Sequence, residues 1–241
     1  MTGLPQDSRI LLIDGVLNAR DVGGLTGRLG PVRRGLVLRS ACLSTLTPDG
    51  GRTLGGLGLR TVIDLRTPLE RREEPNRVAG LAGLAGVREI SIELLTTLID
   101  LPDTSEELYR HFVERCGPGI VAVLGELARP GALPALVHCM VGKDRTGLTV
   151  ALLLELLGVE RPAILADYVA SNAGLGDTVR TPVRAEVMAG ILAELDDTYG
   201  GPREYLGSHG LTEETIRALQ AGLLAGPTED TAGDGDSRSS A

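Results

Sequence analysis

An α/β fold, with a central sheet flanked by helices, is what this 241-residue chain predicts, and three observations predict it. Short β-branched apolar runs bounded by glycines crowd the first part of the chain, while apolar residues at helical spacing dominate the later part. Between them, a short apolar strand at 135–138 passes straight into a glycine-bearing loop. The helix that follows is apolar on nearly every side, as an element enclosed at the centre of a fold must be.

In chain order, ILLI and LVLR within 10–40 alternate with NARDVGG and GRLGPVRRG, which predicts short strands joined by glycine turns. TVIDLR at 61–66 reads as a buried strand, and the charged helix after it, LERREEPN, stops at Pro75. The next strand covers 87–92 and gives way to a loop through LPDTSEE. Apolar residues have helical spacing over 108–116 and over 120–129, and the GPG at 117–119 is expected to separate two helices there. GLTVALLLELLG at 147–158 is the enclosed helix. ERPAILADYVASN follows, with Pro162 in a first turn that tolerates it, then PVRAEVMAGILAELDD. The last helix, LTEETIRALQAGLL, has Thr212 as its cap, acids in its first turn and Leu211 placed to staple against Ile216.

Apolar residues make up 42% of the chain and aromatics only 2%, so the core must be built from Leu, Val, Ile and Ala. One domain is expected over 1–227. The stretch 228–241, TEDTAGDGDSRSSA, holds no apolar residue larger than Ala and is expected to be a disordered acidic tail. A net charge of −8 argues against nucleic acid as a generic partner. With no apolar run of about 18 residues and no signal-peptide layout, no integral membrane segment is expected, and cytoplasmic is the default location. Export by a route without a signal peptide stays open. Cys42, Cys116 and Cys139 lack pairwise spacing, which points to reduced thiols rather than disulfides. No metal-ligand spacing is present and no cofactor is implied. The oligomeric state is not encoded in any pattern.

Chemistry concentrates in HCMVGKDRTG at 138–147. A strand, a glycine-bearing loop and a helix gather backbone N–H groups around an anion, because the first helical turn leaves its donors unpaired and its dipole adds positive potential. Cys139 opens the loop and Arg145 closes it six positions later, which can put a thiolate at the floor of a phosphate-sized bowl and a guanidinium on its rim. Met140, Val141, Gly142, Lys143, Asp144 and Arg145 are the candidate phosphate-binding residues. The planar fork of Arg145 suits two phosphoryl oxygens. Gly142 frees space for close approach or positive φ, and the Thr146 hydroxyl can stabilise the sulfur as thiolate and as leaving group. Such a bowl should also hold phosphate, vanadate or sulfate. A small buried hydrophobe is the commoner fate of a lone cysteine, but it would leave this arrangement unexplained.

HCMVGKDRTG resembles the signature of the cysteine-dependent tyrosine phosphatases, His-Cys-x5-Arg-Ser/Thr. Its GKDRTG ending is similar to that of the bacterial tyrosine phosphatases that border on the phosphoinositide phosphatases. NARDVGG, LRSACLSTLTPDG, TVIDLR, ADYVASN and LTEETIRALQAGLL resemble that family in the same order, over about 10–225. The resemblance implies a mostly parallel central sheet wrapped by helices, and metal-independent hydrolysis of phosphomonoesters through a cysteinyl-phosphate. It implies Cys139 as nucleophile, Arg145 as phosphate clamp and Thr146 as the assisting hydroxyl. A proton donor is also needed. Asp144 resembles the acid proposed for the family; Asp103, in Leu101-Pro102-Asp103, imitates the movable Trp-Pro-Asp loop of other tyrosine phosphatases, though the chain has no Trp. Asp144 is preferred because it lies in the loop.

Lys143 is the only lysine among 24 basic residues. It is read as a second cation beside Arg145, serving a further phosphate or the acid's carboxylate, and a lysine here resembles phosphoinositide phosphatases. Phosphorylated protein and phosphoinositide are therefore both candidate substrates. His138 is expected to hold the loop by hydrogen-bonding inward. Asp21 and Asp64, at a turn and a strand end, either border the site or serve turn or ion-pair duty, and Arg20 and Arg66 either add positive potential or pair with those acids; Asp167, Ser171 and Asn172 resemble the family without assigned chemistry. A P-loop nucleotide hydrolase is excluded, since Val137 and Asp144 stand where it needs glycine and Ser/Thr. A non-catalytic phosphate-reading module and an arsenate-reductase or rhodanese-type enzyme remain the alternatives.

Overall fold

The computed structural model describes residues 9–99, 101–178 and 181–225. The acidic tail expected at 228–241 lies outside the described residues.

The chain forms β1 (Arg20–Asp21), β2 (Thr26–Gly27), β3 (Gly30–Pro31), β4 (Val37–Ser40), α1 (Pro48–Gly56), β5 (Thr61–Asp64), α2 (Pro68–Glu73), β6 (Arg88–Ser91), α3 (Ser105–Ala128), β7 (Ala135–His138), α4 (Arg145–Leu156), α5 (Arg161–Leu175), α6 (Ala185–Tyr199), α7 (Pro202–Ser208) and α8 (Glu213–Leu223). The main sheet has the order β1-β4-β7-β5-β6. β4, β7, β5 and β6 run parallel, and only the edge strand β1 is antiparallel. This is the α/β architecture expected from the sequence.

Central strands buried on both faces must alternate their side chains between two cores. They do. Val37, Ile63, Ala135 and Val137 enter a core shared with α3 to α8, whereas Leu38, Val62 and Leu136 enter a second core with Ile13, Leu43 and Leu54. β7 is paired on both sides, with His138 opposite Ser40 and Asp64, so its C-terminal end opens in the middle of the sheet edge. In open α/β sheets that edge is where ligands bind. α4 leaves it carrying Leu148, Leu152, Leu153 and Leu154 into the core, which accounts for its apolar circumference.

Two expectations are corrected. ILLI at 10–13 makes only isolated bridges, Ile10 to Arg20 and Ile13 to Val16, instead of a strand. GPG does not separate two helices; α3 runs through it for 24 residues, with Pro118 inside. Pro118 is exposed, so the carbonyl it deprives of a donor can be hydrated, and burial of Phe112, Val113, Cys116, Ile120, Val123 and Leu124 along the helix outweighs the local cost of about 3 kcal/mol. The glycines serve packing: a Cβ on Gly117 would lie 2.2 Å from the His209 ring, and one on Gly119 would lie 2.7 Å from Leu94. α1 and α7 were not anticipated, because GG and YG-GP pairs mask their short apolar patterns. Among the described residues no helix is long and apolar enough to cross a membrane.

Candidate active site

The loop from Cys139 to Asp144 follows the central strand and closes on the N-terminus of α4, so the strand fixes its start and the helix its end. Gly142 makes the turn. Its φ is +72°, and a Cβ there would sit 2.1 Å from the Ser40 carbonyl oxygen at the end of β4. No other residue type fits without displacing one strand end. The fold turns the Gly142 N–H toward the nucleophile candidate, donating to Cys139 Sγ at 3.3 Å, and Cys139 is buried.

The outside of the loop is held by buried cations. Arg39 donates to the Gly142 carbonyl at 2.9 Å and to Asp167 at 2.6 Å. Asn18, at φ +56°, spans the Val141 and Gly142 carbonyls with its amide, and its own Oδ1 accepts from Arg20 at 2.6 Å. Arg20 also bonds Asp167 and Ser171. Burial alone would raise the Asp167 pKa; Arg39, Arg20 and Arg9 outweigh it and hold the carboxyl far below the usual range. Arg20 on β1, with Asp167 and Ser171 on α5, thus braces the loop indirectly, through Asn18 and Arg39. Asn172 ties α5 to Val183 instead, and Asp21 receives the N–H groups of Gly23 and Gly35, a turn duty.

His138 is buried. Its Nδ1 donates to the Cys139 carbonyl at 3.0 Å, and its Nε2 accepts from Asn76 at 3.2 Å, a pairing that requires the neutral ring. Burial lowers its pKa, consistent with that tautomer. Arg66 grips Asp64 and Asn76, which ties this hydrogen-bond chain to the end of β5.

Arg145 is oriented by a residue that sequence reasoning missed. Glu70 accepts from Nη1 at 2.7 Å and from Nη2 at 2.6 Å, a bidentate pair with both side chains about 8% exposed. Glu70 is fixed by its own helix: it accepts from the Thr67 N–H, while Thr67 Oγ1 accepts from the Glu70 N–H, the reciprocal capping box of α2. The T-P-L-E spacing signals the box, but nothing local signals a partner 75 residues away. A guanidinium has five N–H donors; Glu70 takes two along one edge and leaves the Nε edge free for another planar acceptor pair.

Asp144 and Lys143 form an ion pair, Nζ to Oδ1 at 2.8 Å, with side chains 23% and 15% exposed, so the lysine is not pointed freely at solvent. Tyr109 also donates to Asp144 Oδ1, at 3.2 Å. Thr146 Oγ1 is buried and has no hydrogen-bond partner among the described residues. The loop therefore brings together Cys139, Gly142, Lys143, Asp144, Arg145 and Thr146. Asp103 is exposed in the turn before α3, and among the described residues it has no hydrogen bond to the loop. A cavity of about 680 Å³ lies elsewhere, between 10–20 and α5, and is lined mostly by apolar side chains; the convergent donors, not that volume, locate the chemistry. No group of three or more metal-ligating side chains clusters among the described residues.

A model of the tyrosine phosphatase family matches residues 11–225. The chain is 30% identical over 217 residues to a tyrosine-protein phosphatase of Nostoc commune, spanning 77% of this chain and 73% of that one. It is 28% identical over 278 residues to the triple specificity protein phosphatase PtpB of Mycobacterium tuberculosis, spanning 88% and 98% of the two chains. The core catalytic domain of the PP-IP phosphatase SIW14 from S. cerevisiae superposes more loosely, with a TM-score of 0.45 and 16% identity over 69% of this chain and 87% of that one.

Proposed function

From the premise that the chain belongs to the tyrosine phosphatase family, and is an enzyme of that class, we propose that Cys139 is its nucleophile and that the reaction passes through a cysteinyl-phosphate. The observation that carries this reading is the Gly142 N–H on Cys139 Sγ at 3.3 Å, inside a loop closed by Arg145. Sulfur attacks phosphorus in line as the bond to the leaving-group oxygen breaks. The loop N–H groups and the open Nε edge of Arg145 hold the equatorial oxygens, whose charge needs donors fixed in advance. Asp144 protonates the departing oxygen, then takes a proton from water as that water attacks phosphorus and the S–P electron pair returns to sulfur. The Thr146 hydroxyl, buried and without any hydrogen-bond partner among the described residues, is the group we assign to donate to the sulfur once the reaction draws the two together.

Phosphotyrosine in proteins is the substrate class proposed first. Extension to phosphoserine, phosphothreonine and phosphoinositides is supported by the triple specificity of PtpB and by a second cation, Lys143, beside the bowl. In this structure Lys143 is engaged with Asp144, which favours the role toward the acid's carboxylate. A nucleophilic cysteine must stay reduced, which suits the cytoplasm.

Hydrolysis of 4-nitrophenyl phosphate in excess chelator, with Cys139→Ser as control, tests the reaction. Panels of phosphopeptides and phosphoinositides then rank the substrates. Turnover by Cys139→Ser equal to the parent would reject the nucleophile, and the absence of any phosphotyrosine hydrolysis would reject the first-ranked substrate.

A further inference from the structure

We propose that Tyr109 is a positioning residue for the general acid: its hydroxyl, held in turn by Tyr168, pins Asp144 Oδ1, so that the proton to be transferred is carried by Oδ2. The inference rests on Asp144 being the acid and goes further, to which oxygen acts and what selects it.

The chain has four tyrosines, and two of them converge here. Tyr109 on α3 and Tyr168 on α5 are 1% and 2% exposed. Tyr168 donates its hydroxyl proton to the Tyr109 oxygen at 2.8 Å, and Tyr109 donates its own to Asp144 Oδ1 at 3.2 Å. The direction of the chain is therefore fixed, from α5 through α3 to the loop. The rings cross edge to face, 5.9 Å between centroids at 81°, which sets where the hydroxyls meet. Gly147 lets this happen: a Cβ there would sit 3.1 Å from Tyr168 Cδ2, so the ring lies against the first turn of α4, next to the residue it helps to orient. The final glycine of the loop sequence thereby gains a physical reason.

Lys143 donates to the same oxygen at 2.8 Å, and Oδ2 accepts nothing among the described residues. A protonated carboxyl has one carbonyl oxygen and one hydroxyl oxygen. With two donors directed at Oδ1, that oxygen must be the acceptor in both protonation states, and the proton belongs on Oδ2. Burial, and after it the Asp144 charge, pushes the Tyr109 phenol well above its ordinary pKa, so it stays a donor throughout and is not itself a proton source. When the P–O bond breaks, the Oδ2 proton passes to the leaving oxygen; when water attacks, Oδ2 takes one back. The Tyr109 O–H bond is unchanged in both steps.

A residue that orients the acid matters most where the leaving group most needs a proton. Tyr109→Phe is expected to lower kcat/KM on phenyl phosphate about tenfold, the value of one hydrogen bond to a charged group. On 4-nitrophenyl phosphate, whose phenolate leaves readily, the loss is expected to stay within about threefold. Vanadate inhibition should change less than about twofold, since the bowl is untouched. Tyr168→Phe, one bond further away, is expected to move the ratio of the two substrates in the same direction but by less. It keeps the test open if Tyr109→Phe folds poorly, as judged by its Tm. Equal losses on both substrates, or none, would overturn the inference. Asp144→Asn is measured in parallel: a leaving-group-dependent loss there, with equal losses in Tyr109→Phe, removes only the role of Tyr109. The absence of such dependence in Asp144→Asn removes the acid assignment and this inference together.

Discussion

Substituting Glu70 by Gln tests how Arg145 is held. In the native site the carboxylate meets both terminal nitrogens of a buried guanidinium at 2.6 and 2.7 Å. Two unit charges about 4 Å apart attract by about 4 kcal/mol at an effective dielectric constant of about 20, part of which desolvation of both groups cancels. Removing one partner of a buried pair outright costs about 3–5 kcal/mol, because the other charge is left uncompensated. Gln keeps one acceptor oxygen but turns an amide N–H toward the second guanidinium nitrogen, so a loss of about 2–3 kcal/mol of stability is expected. Arg145 then loses the contact that directs its Nε edge, and kcat/KM should fall by about 10- to 100-fold, equivalent to about 1.4–2.8 kcal/mol of transition-state binding. Thr67→Ala serves as the control: it removes the cap at the Glu70 N–H, worth about 1 kcal/mol, without touching the pair. Urea unfolding and steady-state kinetics on an aryl phosphate read both effects. If Glu70→Gln stays within about twofold of the parent in kcat/KM while Thr67→Ala does not, the guanidinium is oriented by something other than Glu70.

Two further outcomes follow from the same geometry. Gly142→Ala places a Cβ 2.1 Å from the Ser40 carbonyl oxygen at a φ of +72°, so a stability loss of about 2–3 kcal/mol is expected, with at least about a 100-fold loss of kcat as the N–H leaves the sulfur; a variant that melts and turns over like the parent would refute the close-approach argument. Stability should also fall with acid in two stages. Burial depresses the His138 pKa, so its neutral form is favoured in the fold, and the penalty begins as pH drops below about 6.5, at no more than about 1.4 kcal/mol per pH unit. For Asp64, Glu70 and Asp167, burial is outweighed by Arg66, by Arg145 and by Arg39 with Arg20 and Arg9. Their folded pKa values are depressed, so their contribution is complete above about 4 and is lost as pH falls through the folded values. Urea unfolding from pH 8 to 3 should show both slopes, and His138→Asn should lack the first; a flat wild-type curve between pH 6.5 and 5 would contradict the buried neutral ring.

What the sequence determined by itself was the part of the molecule that is contiguous. Strand, glycine loop and helix at 135–156 are local, their residue types carry their chemistry with them, and the α/β class follows from periodicities that burial enforces. The same locality misled at GPG, where propensity predicts a break and long-range burial of one face of α3 keeps the helix whole. Only the tertiary structure decided which groups complete the site. Glu70 meets Arg145 because β5 lies beside β7 and the box of α2 fixes the side chain. Arg39 reaches the loop from β4 and is held there by Asp167 on α5, and Tyr109 reaches Asp144 from a helix whose apolar face gives no hint of a polar task. Each of these pairs is separated by 35 to 128 positions. A hydrogen bond or an ion pair acts only at contact distance, and which distant residues come into contact is set by how the sheet and helices pack.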